Sequence, residues 1–367
     1  MKHTSLFILS MFTVLGTSGA YAVAPHAYAN IVTAHNIASI QHAITHTAFN
    51  SFEGSMGAAI KSVSQPAKLV PQEKTDPKTT YGRAPMYGSA PVYGEYNDDG
   101  SAGRSGGDHI NSDAMLNGIW FAWEHFGDDV KFDEFGRLNS KFDLGMMGLA
   151  GGQTSLGNGI SKWGIYTGYI GGAQENKQID IDEQGGYFGI YNGFNLGDFN
   201  LSTTLNGGVI DNSVASEFGT DDYANFWLGA VTNATYNIAI DRTFTLQPGI
   251  QLGYTWIKPK DYTSVSGDQI QNEAFGMLEL SPCLRAIKYI GSGWYGSLNV
   301  KHIMIFDNGG ELSVNNTSID TLDIGNFTEY SLSLEKSIAN VNFTANFGRR
   351  DGARDGWIGG LNIKINF

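Results

Sequence analysis

Charged residues make up only 16% of the 367 residues, against about 25% in an average soluble domain. Proline is down to nine residues, which excludes collagen-like and proline-rich architectures. The one cysteine, Cys283, forms no intramolecular disulfide and supports no cysteine-based zinc site. Lys and Arg number 23 against 36 Asp and Glu, a formal charge of −13, so the basic face of a nucleic-acid binder is missing. Outside the N-terminus no run of 18 apolar residues occurs, and membrane-spanning helices are excluded. What is plentiful is glycine, 48 residues, and aromatics at 12%. That mixture suits a membrane β-barrel better than a cytosolic enzyme.

The chain opens with an export signal. Lys2 and His3 give a short polar start, and Leu6 to Leu15 is mostly apolar. Ala20-Tyr21-Ala22 then supplies the small-x-small cleavage pattern. The cut falls between Ala22 and Val23, giving a signal peptide over 1–22. The apolar stretch is too short to anchor in a bilayer.

Residues 23–62 form a short helical region. Ile37, Ile40 and Ile44 share one face, and His35, His42 and His46 share the opposite one. His42 and His46 have the i, i+4 spacing of two helical metal ligands. No carboxylate lies on that face to complete a site, so the stripe reads as the polar side of an amphipathic helix and no metal is assigned. Residues 63–107 are a low-complexity linker. It carries Tyr81-Gly82-Arg83-Ala84-Pro85, then Tyr87-Gly88-Ser89-Ala90-Pro91 and Tyr93-Gly94, with too little apolar surface for a core. Asn97 to Gly100 and Gly106 to Asp108 offer acidic turns, but match no calcium-loop pattern.

From Met115 onward the period becomes two. Phe244, Leu246, Ile250, Leu252, Tyr254 and Trp256 point one way, and Thr245, Gln247, Gly249, Gln251, Gly253 and Thr255 the other. The first set suits lipid and the second a hydrated lumen. Phe199, Leu201, Leu205 and Val209 repeat the pattern, as do Val341, Phe343, Ala345 and Phe347. About twelve such segments run to Phe367. Short connections at Asn195–Asp198, Ile238–Arg242, Tyr289–Ser292 and Ser337–Ala339 alternate with longer acidic ones. The latter are His125–Ser140, Gln174–Glu183, Ser213–Asp222, Ile257–Ile270, Asp307–Asn326 and Gly348–Gly356. This rhythm predicts an all-β fold, a twelve-stranded antiparallel up-and-down transmembrane barrel. All seven tryptophans fall near strand ends, as interfacial girdles require.

Glu279 and Arg285 share the lumen parity of Ser281 and Cys283, where a charge is tolerated. Catalytic signatures are lacking: no Gly-x-Ser-x-Gly elbow occurs. The best acid–base candidate, His125 beside Asp128 and Asp129, is explained by an outer loop. The reading is a non-enzyme, without cofactor.

The terminal strand Trp357-Ile358-Gly359-Gly360-Leu361-Asn362-Ile363-Lys364-Ile365-Asn366-Phe367 resembles the signal recognised by the barrel-assembly machinery. Leu144 to Gly152, Gly164 to Tyr169 and Phe244 to Tyr254 add to the likeness. From about Gly118 to Phe367 the chain is similar to the translocator β-domain of type V autotransporters. The resemblance implies a single-chain, monomeric barrel in the outer membrane of a Gram-negative-type bacterium, spanning 108–367. It also implies lipid and lipopolysaccharide as surroundings, and the Sec translocon and barrel-assembly machinery as biogenesis partners. Leu361, Ile363, Ile365 and Phe367 would be the assembly signal. The family threads a helix through the lumen, so Asp108–Met115 is expected there, close to Arg285 or Glu279. Passengers in the family are long, whereas Val23 to Gly107 is short and lacks solenoid repeats. The implied function is to anchor this short N-terminal passenger and translocate it to the cell surface. The alternative is a structural, adhesin-like or pore-forming barrel without cargo.

Overall fold

The computed structural model describes residues 20–52, 116–132, 136–156, 159–307, 312–319 and 325–367. Most of the signal peptide, the 63–107 linker and Asp108–Met115 lie outside the described residues. A helix, α1 (Ala20–Phe52), precedes the strands. The first half of the wall consists of β1 (Leu116–Phe132), β2 (Gly136–Leu156), β3 (Gly159–Glu175), β4 (Asp180–Leu196), β5 (Phe199–Ser216) and β6 (Gly219–Tyr236). A four-residue strand, β7 (Ile238–Asp241), leads into β8 (Phe244–Pro259). After the short β9 (Tyr262–Thr263) and β10 (Gln269–Asn272) come β11 (Phe275–Gly291) and β12 (Trp294–Asp307). β13 (Leu312–Val314) and β14 (Thr317–Ile319) follow, then β15 (Phe327–Ile338), β16 (Val341–Gly352) and β17 (Arg354–Asn366).

Each wall strand pairs antiparallel with the next in sequence, β6 with β8, β8 with β11 and β12 with β15 included. The first and last strands pair from Gly118↔Asn366 to Val130↔Arg354, which closes a twelve-stranded barrel. Closure removes the edges that an open sheet cannot satisfy in lipid. The tight turns Gly197–Asp198, Ser292–Gly293 and Ala339–Asn340 lie at one end, here the turn end. The opposite, loop end carries the longer excursions. Gly197 sits at φ 59°, where a side chain would be strained, and so fits the first turn.

The alternation in the sequence becomes an outside and an inside. On β5, Phe199, Leu201 and Leu205 are exposed outward while Ser202, Thr204 and Asn206 are buried. The outward apolar run on this strand ends at Val209, and Asp211 follows. Phe199 to Val209 is about the length that crosses a bilayer at a barrel's tilt.

Three expectations change. First, the stretches read as long acidic loops are mostly strand: β1 runs to Phe132, β5 and β6 meet at Glu217–Phe218, and β16 runs to Gly352. Alternation continues there with Asp in place of Leu on the outer face, as in Asp180-Ile181-Asp182, because the wall has risen out of the apolar band. Only two connections are long, β8 to β11 and β12 to β15, and they pair into a four-stranded sheet, β14-β13-β10-β9. Second, two of the seven tryptophans, Trp120 and Trp227, are buried inward against other aromatics rather than placed in a girdle. Third, the helical region read as an amphipathic, displayed segment is described over Ala20–Phe52 as a helix inside the lumen, α1.

Candidate functional site

α1 contains no Asp, Glu, Lys or Arg, so it can enter a narrow lumen without taking a fixed charge out of water. From Ala29 to Phe52 nearly every described side chain is buried, on all faces. The helix satisfies its own backbone hydrogen bonds, leaving only side chains for the wall to match. It is not amphipathic toward solvent, because wall surrounds it. Ile37, Ile40 and Ile44 belong to one buried cluster with Ile210, Trp227 and Val231. The wall makes room with glycine: a Cβ on Gly229 would overlap the Gln41 amide, and one on Gly164 the Phe52 ring.

The contacts fix the direction of the helix. At the loop end, Asn30 Nδ2 donates to Asn272 of β10 at 3.0 Å. Thr33 Oγ1 lies 3.0 Å from the Tyr223 hydroxyl and accepts from Asn225 Nδ2 at 3.1 Å. Tyr223 stacks on Tyr262 of β9, ring centroids 4.8 Å apart. Burial, then the nearby Asp221, pushes the Tyr262 hydroxyl well above the usual tyrosine range, so this lid stays uncharged. Val32 joins Ile270, Leu312 and Val314 of the small sheet in a second buried cluster. At the turn end, Phe52 stacks on Tyr191 at 4.4 Å and meets Trp120 edge-on at 5.3 Å. Asn362 of β17 donates to the Ser51 hydroxyl there. Thus α1 runs from the loop end to the turn end, and β1 starts at the turn end.

Midway, charges form a belt on the wall. Cross-strand neighbours Lys301, Glu329 and Arg350 alternate in sign on β12, β15 and β16. Arg350 bonds Glu329 at 3.3 Å and Asp128 of β1 at 3.0 Å. Arg354 bonds Asp128 at 3.2 Å and donates to Asn36 Oδ1 of the helix at 2.7 Å. His42 reaches across with Nδ1 2.9 Å from Glu279 and Nε2 3.7 Å from Glu329. Glu279 also accepts from Ser281 and Gln251. Below, Thr47 donates to Glu124, and His46 lies 4.0 Å from the same carboxylate. Low dielectric makes these pairs strong when complete and costly when broken.

Two cavities of about 40 and 60 Å³ flank the helix toward the turn end. Arg285 lines both, with Glu124 and Glu335 beside the first and Lys301 and Cys283 beside the second. Each has room for one or a few waters, not for a solute path.

Of the residues singled out from sequence, Glu279 faces the lumen and touches His42, while Arg285 borders the cavities and donates from Nε to Ser297 at 3.3 Å. Asp108–Met115, expected beside them, lies outside the described residues. His35, His42 and His46 are enclosed by the wall, not displayed. The carboxylate partners of His42 and His46 come from β1, β11 and β15, too far along the chain to be visible locally. Ala22 and Val23 fall within α1. Leu361, Ile363 and Phe367 are exposed on the outer face. His125 does not meet Asp128: it pairs outward with Asp143 at 3.1 Å, while Asp128 points into the belt. No cluster of three metal-ligating side chains occurs among the described residues. Glu124, Glu329, Arg350 and Arg354 were missed and Asp128 was read as outer loop: on β1 the inward parity was hidden because Trp120 read as a girdle residue, and Arg350 and Arg354 lie in the stretch read as the Gly348–Gly356 loop.

A family model described as autotransporter beta-domain matches residues 126–354. The fold is also that of solved autotransporter domains. The transport unit of AIDA-I from Escherichia coli is 14% identical with TM-score 0.56, covering 70% of this chain and 92% of that one. The β-domain of the Bordetella autotransporter BrkA is 15% identical with TM-score 0.56, covering 69% and 100%. The translocator domain of NalP from Neisseria meningitidis is 13% identical with TM-score 0.55, covering 71% and 90%. No curated protein shows significant sequence similarity to the chain.

Proposed function

The chain belongs to the autotransporter β-domain family of outer-membrane type V secretion barrels, and from that premise we propose that it carries its own N-terminal segment through the lumen and then keeps α1 there as a closure. The loop end faces the exterior, the turn end the periplasm. The observation that carries this reading is the direction of the helix. With Asn30 at the loop end and Ser51 at the turn end, the residues before Asn30 have passed the wall, while Phe52 and β1 stay on the starting side. After cleavage at Ala22, Val23 to Ala29 would be what emerges at the outer mouth. Lipopolysaccharide and the barrel-assembly machinery, through Leu361 to Phe367, are its partners in this reading. Its activity is anchoring and translocation rather than catalysis.

Surface labelling tests this. In a Cys283→Ser background, Ala24→Cys is expected to react with a membrane-impermeant maleimide on intact cells. Asp198→Cys, in a turn-end loop, is expected to react only after the outer membrane is permeabilised. The reverse pattern would reject the assigned direction.

A further inference from the structure

Along the helix from Asn36 to Thr47, the wall presents four carboxylates, Glu124, Asp128, Glu279 and Glu329, against three permanent cations, Lys301, Arg350 and Arg354. Arg285 and Glu335, nearer the turn end, add one of each sign. Along that stretch the carboxylates outnumber the permanent cations by one, and the helix itself has only histidine to add positive charge there. His42 stands between two of the carboxylates, on different strands. Glu279 faces it from β11, Lys301 from β12, and Glu329 from β15 with Arg350 behind it on β16. His46, one helical turn on, faces Glu124 of β1.

We infer that His42 is a proton-controlled latch on the lumen helix, tight when its ring is charged and loosened when the ring is neutral. With both nitrogens protonated, the ring donates toward Glu279 and Glu329 and ties α1 to β11 and β15 at once. When Nδ1–H alone is kept, the Nε2 lone pair faces the Glu329 carboxylate at 3.7 Å with no hydrogen-bond partner. Both groups are almost fully buried, so water cannot screen that repulsion. The sign follows directly: the helix is held as long as the imidazole is charged and both carboxylates are ionised, and the hold weakens when the ring gives up its second proton. The latch rests on the helix being in the lumen and is independent of how it came there, so the surface-labelling result can fail without touching it.

The test is conductance of the full-length protein in planar bilayers, at about pH 5.5 and about pH 8.5. Heat-modifiable migration on an unboiled gel verifies that each variant is a folded barrel. Wild type is expected to open more often at the higher pH, by about tenfold for the loss of one buried charge contact. His42→Gln, which retains a donor but no charge, is expected to open at the high frequency at both pH values. His42→Lys, permanently charged, stays closed at both. His46→Gln is expected to keep the wild-type step. A pH step that survives in His42→Gln, a step that vanishes in His46→Gln alone, or a folded wild type indifferent to pH would each overturn the latch.

Discussion

Deletion of residues 23–52, with the signal peptide retained, is expected to convert a silent barrel into an open pore. α1 fills the lumen, and the cavities left beside it hold only a few waters. A helix with its side chains is about 10 Å across, so its removal leaves a channel of roughly that width. What remains on the inner wall is Ser, Thr, Asn, Gln and paired charges, which water wets readily, beside the side chains that had packed on the helix, Trp120, Tyr191, Ile210 and Trp227 among them. Wall strands pair with one another and not with α1, so the barrel itself is expected to close without the helix. Planar-bilayer recording should show steady conductance for the deletion and brief openings at most for the full chain. A folded deletion that conducts no better than the full chain would mean that the barrel's own side chains or the loop-end sheet seal it.

The second large effect concerns Asp128. It receives both Arg350 and Arg354 while wholly buried, and Arg354 in turn holds Asn36 of the helix. Asp128→Asn keeps the shape but leaves two guanidinium groups sharing one carboxylate fewer. Breaking a buried pair by removing one partner costs about 3–5 kcal/mol. The variant is expected to lose its heat-modifiable form at a markedly lower temperature and to unfold at lower urea. Asp129→Asn, on the exposed neighbouring residue whose 3.9 Å contact to Arg137 is solvent-screened, is the control. Its effect is expected to stay within about 1 kcal/mol. Equal stability of the two variants would show that the belt does not hold the structure together.

The wall was legible in the sequence where it crosses lipid. Phe244 to Trp256 alternates because lipid and lumen demand opposite side chains on successive residues. Legibility faded above the apolar band, where Asp180 and Asp182 replace outward Leu and Phe, so that strand read as acidic loop. The lumen helix was hidden for a different reason. An amphipathic pattern records one wet face and one dry face, whereas α1 has wall all round. Its Ile stripe and His stripe therefore carried no hint of location. The more telling feature was the lack of Asp, Glu, Lys and Arg over 33 residues rich in Asn, Ser, Thr and His. Family resemblance placed a helix next to the first strand, at Asp108–Met115, which lies outside the described residues; the helix described in the lumen is α1, ending at Phe52. Glu279 was readable from parity alone, but its partner His42 lies 237 residues away.

The central claim is that α1 threads the barrel from the loop end to the turn end, and paired cysteines test it most directly. In a Cys283→Ser background, Asn30→Cys with Asn272→Cys and Ser51→Cys with Asn362→Cys join side chains that touch in the structure. Both pairs are expected to cross-link under mild oxidation in outer membranes, detected as a disulfide-dependent shift on non-reducing gels. The exchanged pairs, Asn30→Cys with Asn362→Cys and Ser51→Cys with Asn272→Cys, are expected to stay reduced. Cross-links in the exchanged pairs, or none in the matched pairs of a folded barrel, would contradict the threaded helix.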